Sequence, residues 1–217
     1  MGDQSFVSQE TRARVRGAIV PIALGAGRIG LTPNALTVIG FLIAGVAAAT
    51  AAAQLWIPAA ALVIFGGSFD TLDGGRARAQ NRGTRFGAFL DSTLDRWGEG
   101  VVYIGIVAGA STAGFVTVAV LAAAAAVCSF QVSYTRAKAE SRKLHGEVGI
   151  APRAERLVLL TLGLVAAGLD GGLATGSRGQ IWLAAALAII VAAATITAVQ
   201  RTWHVRTQLR NEEQKAQ

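Results

Sequence analysis

Six apolar blocks run along the chain, each close to the length that a helix needs to cross a membrane. They cover residues 34–54, 57–78, 86–108, 114–135, 156–172 and 179–202. A transmembrane helix needs about 20 predominantly apolar residues. Charged residues make up only 15% of the chain, whereas soluble domains carry about a quarter. The sequence therefore predicts an all-α polytopic membrane protein with six transmembrane helices, and it excludes a soluble globular domain.

The segment before the first block alternates basic and apolar positions over about residues 6–28. Such a pattern favours an amphipathic helix lying on the membrane surface, and a disordered arm is the alternative. We expect a single membrane domain over residues 1–205 that includes this surface helix. Residues 206–217 are polar and are predicted to form a cytoplasmic tail.

The basic residues are distributed asymmetrically between the connections. Eighteen of the twenty lysines and arginines lie before the first block, around the second and fourth connections, or near the C-terminus. Cytoplasmic segments of membrane proteins carry such an excess of positive charge. The asymmetry predicts a multi-pass protein of the cell membrane, with both termini and the even-numbered connections in the cytoplasm.

Cysteine and histidine offer little chemistry. The single cysteine, Cys128, excludes an intramolecular disulfide and a cysteine metal cluster. His145 and His204 are far apart in sequence, with no ligand spacing around either. We interpret them as loop or interface residues.

Two pairs of aspartates mark the ends of neighbouring blocks. Asp70 and Asp73 are three residues apart near the end of the second block, and Asp91 and Asp95 are four apart at the start of the third. Each spacing places a pair on one helix face, and a hairpin of the two helices would bring all four carboxylates together. Carboxylates this close repel unless a cation binds among them, and oxygen ligands suit Mg²⁺. The alternative is a set of helix-end salt bridges, but acidic residues in membrane helices usually mark functional sites.

Glu99 follows the second pair on the same predicted helix, one turn after Asp95. Two interpretations of it stay open. It orients the aspartates of the acidic cluster without binding the cation itself, or it is the structural partner of a basic residue.

The aspartates belong to a longer pattern, Asp70-x2-Asp73-Gly74-x2-Ala77-Arg78-x8-Gly87-x3-Asp91-x3-Asp95. This pattern resembles the full signature of the CDP-alcohol phosphotransferases, with every fixed residue at the family's spacing. Six spans after a surface helix also fit that family. The resemblance implies a homodimer, in contact with membrane lipids, whose active site faces the cytoplasm.

The resemblance also implies roles for individual residues. Asp70, Asp73, Asp91 and Asp95 would bind metal, Mg²⁺ or Mn²⁺ and two ions in all, and Asp95 would also be the general base. The residues that would line the site of the CDP-lipid are Pro33, Asn34, Gly74, Ala77, Arg78, Thr84 and Gly87. From the sequence alone, Pro33 is only a proline at a helix start. The implied chemistry is direct attack of an alcohol on the phosphate that bears the lipid, with release of CMP.

A second group of charges points to the acceptor. Its members gather around the fourth connection and the end of the last block: Arg136, Lys138, Arg153, Arg156 and Arg201. Such a cluster can hold a phosphorylated acceptor through charge-assisted hydrogen bonds, although the positive-inside bias accounts for some of it. Residues 133–157 resemble the phosphatidylinositol phosphate synthases of actinobacterial type, which implies CDP-diacylglycerol and inositol 1-phosphate as substrates. Phosphatidylglycerophosphate synthases, which use glycerol 3-phosphate, and archaetidylinositol phosphate synthases are the alternatives.

Rival classes of protein account less well for these features. A prenyltransferase would carry two well-separated acidic motifs, and here both pairs fall within one predicted hairpin. A divalent-cation transporter would need acidic residues near the membrane midplane and a continuous polar path. No nucleic-acid partner is expected.

Overall fold

The computed structural model describes residues 32–79, 84–174 and 176–215, with the backbone alone described for residues 68–79 and 215. These residues form six helices and, within the same ranges, no β-strand. The helices are α1 (Pro33–Ala52), α2 (Trp56–Ala79), α3 (Arg85–Thr112), α4 (Val116–Glu140), α5 (Arg153–Leu169) and α6 (Gly179–Lys215). The all-α prediction is confirmed, and each apolar block corresponds to one helix. The predicted surface helix over residues 6–28 lies outside the described residues.

Among the residues whose side chains are described, three helices are long and apolar enough to cross a membrane by themselves: Pro33–Ala52, Val116–Glu140 and Gly179–Gln214. In α2 the described side chains form a shorter apolar stretch, Trp56–Gly67. The helices α2, α3 and α5 carry charged residues near one end, which lowers their mean hydropathy. The described chain therefore has several apolar helices of the kind found in membrane proteins.

Helix contacts define the order of the bundle. The helix α1 packs on α2 and α3, α4 packs on α3 and α6, and α5 packs on α6 and α2. The described helices therefore form a ring in the order α2, α1, α3, α4, α6, α5. The sequence predicted that α2 and α3 fold directly on each other. Instead they have little direct contact along their described residues, because α1 packs against both.

The crossing of α1 and α3 is unusually close. A Cβ atom on Gly105 would lie 2.2 Å from the carbonyl oxygen of Ala48, and one on Gly109 would lie 2.3 Å from that of Ala51. Small residues allow helix backbones to approach closely in lipid, and these glycines leave no space for a side chain. The alanines of α1 and the glycines of α3 therefore account for this close crossing.

The last helix does not stop at the predicted domain boundary. From Gly179 it continues without a break through residue 205 to Lys215. Its final turns are largely exposed, in keeping with their polar sequence. One of their residues, Gln208, nevertheless contacts the connection between α4 and α5. That connection, residues 141–152, is called the α4–α5 loop below.

Candidate active site

A cleft opens where α3 faces α5. It encloses a cavity of about 40 Å³, enough for a few water molecules, lined by residues of α1, α2, α3 and α5. Most of its wall is apolar or glycine. The polar lining residues are Thr37, Asp95, Glu99 and Arg153. The carboxylates of α3 therefore face the guanidinium of Arg153 on α5 across the cleft.

Asp95 is held by an arginine from the opposite helix. Its Oδ2 atom lies 2.6 Å from Nη1 of Arg153, and Nη2 of Arg153 donates to the backbone oxygen of Asp95 at 3.3 Å. Arg96 lies further away, with Nη1 4.0 Å from the same Oδ2. The side chain of Asp95 is only 14% exposed. Arg153 therefore fixes the orientation of a carboxylate that stands at the cavity wall.

Asp91 lies one helical turn before Asp95, and the side chain of Thr37 from α1 lies beside it. Its Oδ1 atom is buried and accepts no hydrogen bond from the described residues. A buried carboxylate oxygen without a donor is costly. A bound cation would satisfy this oxygen, and carboxylate oxygens are ligands that suit Mg²⁺ or Mn²⁺.

The other two predicted metal ligands stand on α2. The backbone there is helical, so Asp70 and Asp73 share one face of that helix. Their side chains lie outside the described residues, as do those of Ala77 and Arg78, and Gly74 lies in the same stretch of α2. Among the side chains that the structure does describe, no group of three or more metal-ligating residues is assembled. The four-acid cluster as a whole stays a prediction.

The starts of α1 and α3 lie side by side at this end of the bundle. Thr84 caps α3 by accepting a hydrogen bond from the Gly87 amide at 2.9 Å, and Pro33 stands in the first turn of α1. A Cβ atom on Gly87 would lie 2.8 Å from Oδ1 of Asn34. Four of the residues predicted for the CDP-lipid site are thus neighbours, and two helix N-termini, which favour anions, point to the same end.

Glu99 and Arg156 form a buried ion pair between α3 and α5. Nε and Nη2 of Arg156 each lie 3.0 Å from one oxygen of Glu99, and Nη1 donates to the Ala151 carbonyl at 3.0 Å. The arginine side chain is 1% exposed. This settles the open question about Glu99, which is the structural partner of a basic residue. Arg156 thus donates three of its five N–H groups to the protein, and its predicted part in binding the acceptor phosphate stays a prediction.

The remaining predicted acceptor residues surround the α4–α5 loop. Arg136 pairs with Glu140 at 2.7 Å and with Glu147 at 3.0 Å. Arg201 is 4% exposed and donates to the carbonyl oxygens of Val148 and Val132. No carboxylate of the described chain lies within ion-pair distance of Arg201. Lys138 is exposed on α4.

Several contacts that shape this region were not predicted from the sequence. His145 and His204 meet edge to face with ring centroids 6.2 Å apart, although 59 positions separate them in the chain. Thr197 and Gln208 also contact the α4–α5 loop. A spacing of three or four residues along α6 links Thr197, Arg201, His204 and Gln208. The spacing can be read from the sequence, but the loop that these residues contact cannot.

A family model described as CDP-alcohol phosphatidyltransferase matches residues 30–199. The chain belongs to this family. The matched segment contains the complete aspartate signature and all six helices, apart from the end of α6. Members of the family are transferases that use divalent metal ions.

Two relatives show how far the similarity extends. The archaetidylinositol phosphate synthase of Methanothermobacter thermautotrophicus is 40% identical over 208 residues, covering 96% of this chain and 98% of that protein. The phosphatidylinositol phosphate synthase of Mycobacteroides abscessus is 36% identical over 206 residues, covering 93% of this chain and 88% of that protein.

Solved structures agree with these relatives. The crystal structure of the Mycobacterium tuberculosis phosphatidylinositol phosphate synthase with CDP-DAG bound is similar with a TM-score of 0.75 and 32% identity, covering 85% of this chain and 92% of that one. A second structure of the same enzyme, in complex with manganese and citrate, also has a TM-score of 0.75, with 32% identity and coverage of 86% and 88%.

Proposed function

We propose that this family member transfers the phosphatidyl group of CDP-diacylglycerol to inositol 1-phosphate, giving phosphatidylinositol phosphate and CMP. The observation that carries the proposal is the acidic face of α3. There Asp95 stands at the cavity wall, and Asp91 keeps a buried oxygen without a hydrogen-bond donor among the described residues. The names of the relatives and the CDP-DAG complex of the mycobacterial enzyme support the choice of substrates.

The residues proposed to hold the metal are Asp70, Asp73, Asp91 and Asp95, with Mg²⁺ or Mn²⁺ as the ion and two ions in all. The manganese complex of the mycobacterial enzyme supports this assignment. When bound, the metal would neutralise the diphosphate and stabilise the oxygen that leaves with CMP. The CDP-lipid would lie beside Pro33, Asn34, Gly74, Ala77, Arg78, Thr84 and Gly87.

Asp95 is the proposed general base. It takes the proton of the attacking hydroxyl, the hydroxyl oxygen bonds to the phosphorus that bears the lipid, and the bond from that phosphorus to the bridging oxygen breaks. The 2.6 Å contact with Arg153 keeps the carboxylate oriented toward the cavity. A positioned base contributes about 10²–10⁴-fold to rate. The transfer is direct, without a covalent intermediate on the protein.

The phosphate of the acceptor is proposed to bind among Arg136, Lys138, Arg153 and Arg201. The strongest support comes from Arg201. Its guanidinium is buried, and among the described residues it donates only to carbonyl oxygens. A buried cation without a carboxylate is costly unless an anion binds nearby. Arg156 is the fifth residue proposed for this site, and it would contribute through the N–H groups that it does not donate to Glu99 and Ala151.

The proposed membrane arrangement has six spans, with the N-terminal amphipathic helix on the inner surface and the active site facing the cytoplasm. Both termini are cytoplasmic, the cell membrane is the location, and residues 1–205 form one domain. The asymmetric basic residues and the six helices support this arrangement. We also propose a homodimer, for which the family resemblance is the support.

The test is an assay of CMP release by the purified full-length protein with Mg²⁺, CDP-diacylglycerol and a panel of acceptors. We expect release to depend on inositol 1-phosphate, to stop when EDTA removes the metal, and to return with Mg²⁺ or Mn²⁺. Release that requires glycerol 3-phosphate instead would make the protein a phosphatidylglycerophosphate synthase. Flux of a divalent cation into proteoliposomes without CMP release would contradict the enzyme proposal.

An archaeal lipid donor is the second candidate, because the archaetidylinositol phosphate synthase is 40% identical over almost the whole chain. The donor is decided by the same assay with CDP-archaeol in place of CDP-diacylglycerol. A higher kcat/KM for CDP-archaeol would favour this second candidate, and it would leave the acceptor proposal unchanged.

A further inference from the structure

One face of α6 contacts the α4–α5 loop at successive turns. The face, called the α6 stripe here, consists of Thr197, Arg201, His204 and Gln208. Steps of four, three and four residues keep these side chains on one side of a helix. Three of them, Arg201, His204 and Gln208, lie beyond the segment that the family model matches, which ends at residue 199.

The members of the stripe hold the loop at three points, Ala151, Val148 and His145. Thr197 Oγ1 accepts from the Ala151 amide at 3.0 Å, and Arg201 Nε donates to the Val148 carbonyl at 2.8 Å. The ring of His204 packs on that of His145. Nothing in this loop is helix or strand, so side chains of α6 satisfy backbone groups that regular structure would otherwise satisfy.

Gln208 makes the outermost contact, and it uses both ends of its amide. Its Oε1 accepts from the His145 amide at 3.0 Å, and its Nε2 donates to the His145 carbonyl at 2.8 Å. The two bonds fix one residue of the loop from both sides. They connect the exposed end of α6 to the beginning of the α4–α5 loop.

The loop leads directly into the proposed acceptor site. Glu147, next to Val148, pairs with Arg136 at 3.0 Å. At its other end the loop passes through Pro152 into Arg153, which contacts Asp95. A displacement of the loop would therefore move two cations proposed to hold the acceptor phosphate.

We propose that the α6 stripe is a positioning device for the acceptor site, and that Gln208 sets the affinity for the phosphorylated acceptor without touching it. This inference rests on the proposed function. It extends the proposed domain, residues 1–205, to include the end of α6, although residues 206–214 are polar and mostly exposed.

The test compares Gln208→Ala with Gln214→Ala in the full-length protein. Gln214 is an exposed glutamine on the same helix, so the control repeats the substitution outside the stripe. We expect Gln208→Ala to raise the KM for inositol 1-phosphate about fivefold, as the loss of neutral hydrogen bonds predicts. The kcat at saturating acceptor and the KM for CDP-diacylglycerol should stay within about twofold. Gln208→Glu, which can still accept from the His145 amide, should give a smaller increase.

Hydrogen exchange of the α4–α5 loop provides a measurement that does not depend on the acceptor. The His145 amide should exchange faster in Gln208→Ala and at the wild-type rate in Gln214→Ala. Unchanged exchange would overturn the anchoring role, and faster exchange with an unchanged acceptor KM would overturn the link to the site. Equal loss of affinity for both substrates, with a lower unfolding temperature, would mean general destabilisation and would also overturn the inference. A wild-type protein without acceptor-dependent CMP release would defeat the proposed function instead, and the exchange comparison would still decide whether Gln208 holds the loop.

Discussion

The helix α3 meets α1 and α5 in opposite ways. Toward α1 it presents Gly105 and Gly109, and the two backbones touch. Toward α5 it presents Asp95 and Glu99, whose long arginine partners bridge a cleft. Residue size therefore decides where this bundle closes and where it stays open. Glycines remove the space between helices, whereas ion pairs between extended side chains hold the helices apart beside the cavity of about 40 Å³.

The largest effect on turnover should come from Asp95, on the side of α3 that faces α5. We predict that Asp95→Asn lowers turnover by about 10²–10⁴-fold, because the proposed base is lost, while CDP-diacylglycerol still binds. Asp170→Asn is a matched control at a distant position, where the carboxylate accepts from Trp182 at 2.9 Å. Single-turnover CMP release and a separate donor-binding assay would measure the two effects. Near-normal turnover in Asp95→Asn would remove Asp95 as the base.

The second effect concerns the ion pair that lies behind the site. Glu99→Gln should lower the free energy of unfolding by about 3–5 kcal/mol, because it leaves the buried Arg156 without a counter-charge. Replacing both partners, as in Glu99→Gln with Arg156→Met, should recover much of that loss. Denaturation in mixed micelles measures the free energies. If the double variant is no more stable than Glu99→Gln alone, the uncompensated charge is not the cause.

At the crossing of α1 and α3, stability should depend on side-chain volume instead of charge. Gly105→Ala should cost about 1–3 kcal/mol, since overpacking forces the backbones apart where a Cβ atom would meet Ala48 at 2.2 Å. Gly100→Ala on the same helix meets nothing within 4 Å and serves as the control. Unfolding of both variants under identical detergent conditions is the measurement. Equal stabilities would show that the close crossing of α1 and α3 has no energetic importance.

The smallest effect is expected at an exposed pair. Glu140→Gln removes one of the two carboxylate partners of Arg136, in a pair whose side chains are 40% and 53% exposed. Exposed pairs of this spacing contribute about 0.3–0.5 kcal/mol, and salt should reduce even that. A cost approaching that of Glu99→Gln would contradict the distinction between buried and exposed charge drawn here. The comparison is made at low and at high salt.

Much of the architecture could be read from local pattern. The six apolar blocks predicted the six helices, because the length of an apolar run can be counted directly in the sequence. Asp91 and Asp95 share a face of α3 because helical periodicity alone requires it. The ring order of the helices could not be predicted in this way, and the expected direct packing of α2 on α3 was replaced by packing of both on α1.

The helices and the spacing of the acidic residues follow from the sequence alone, since each depends only on neighbours within a few positions. Which arginine meets which acid depends instead on how the helices pack. Arg156 and Arg153 are three residues apart and chemically identical, yet one is buried against Glu99 and the other reaches the cavity beside Asp95. The same holds for Gln208 and His145, which are 63 residues apart. A contact between distant segments depends on how helices pack, and no local periodicity encodes it.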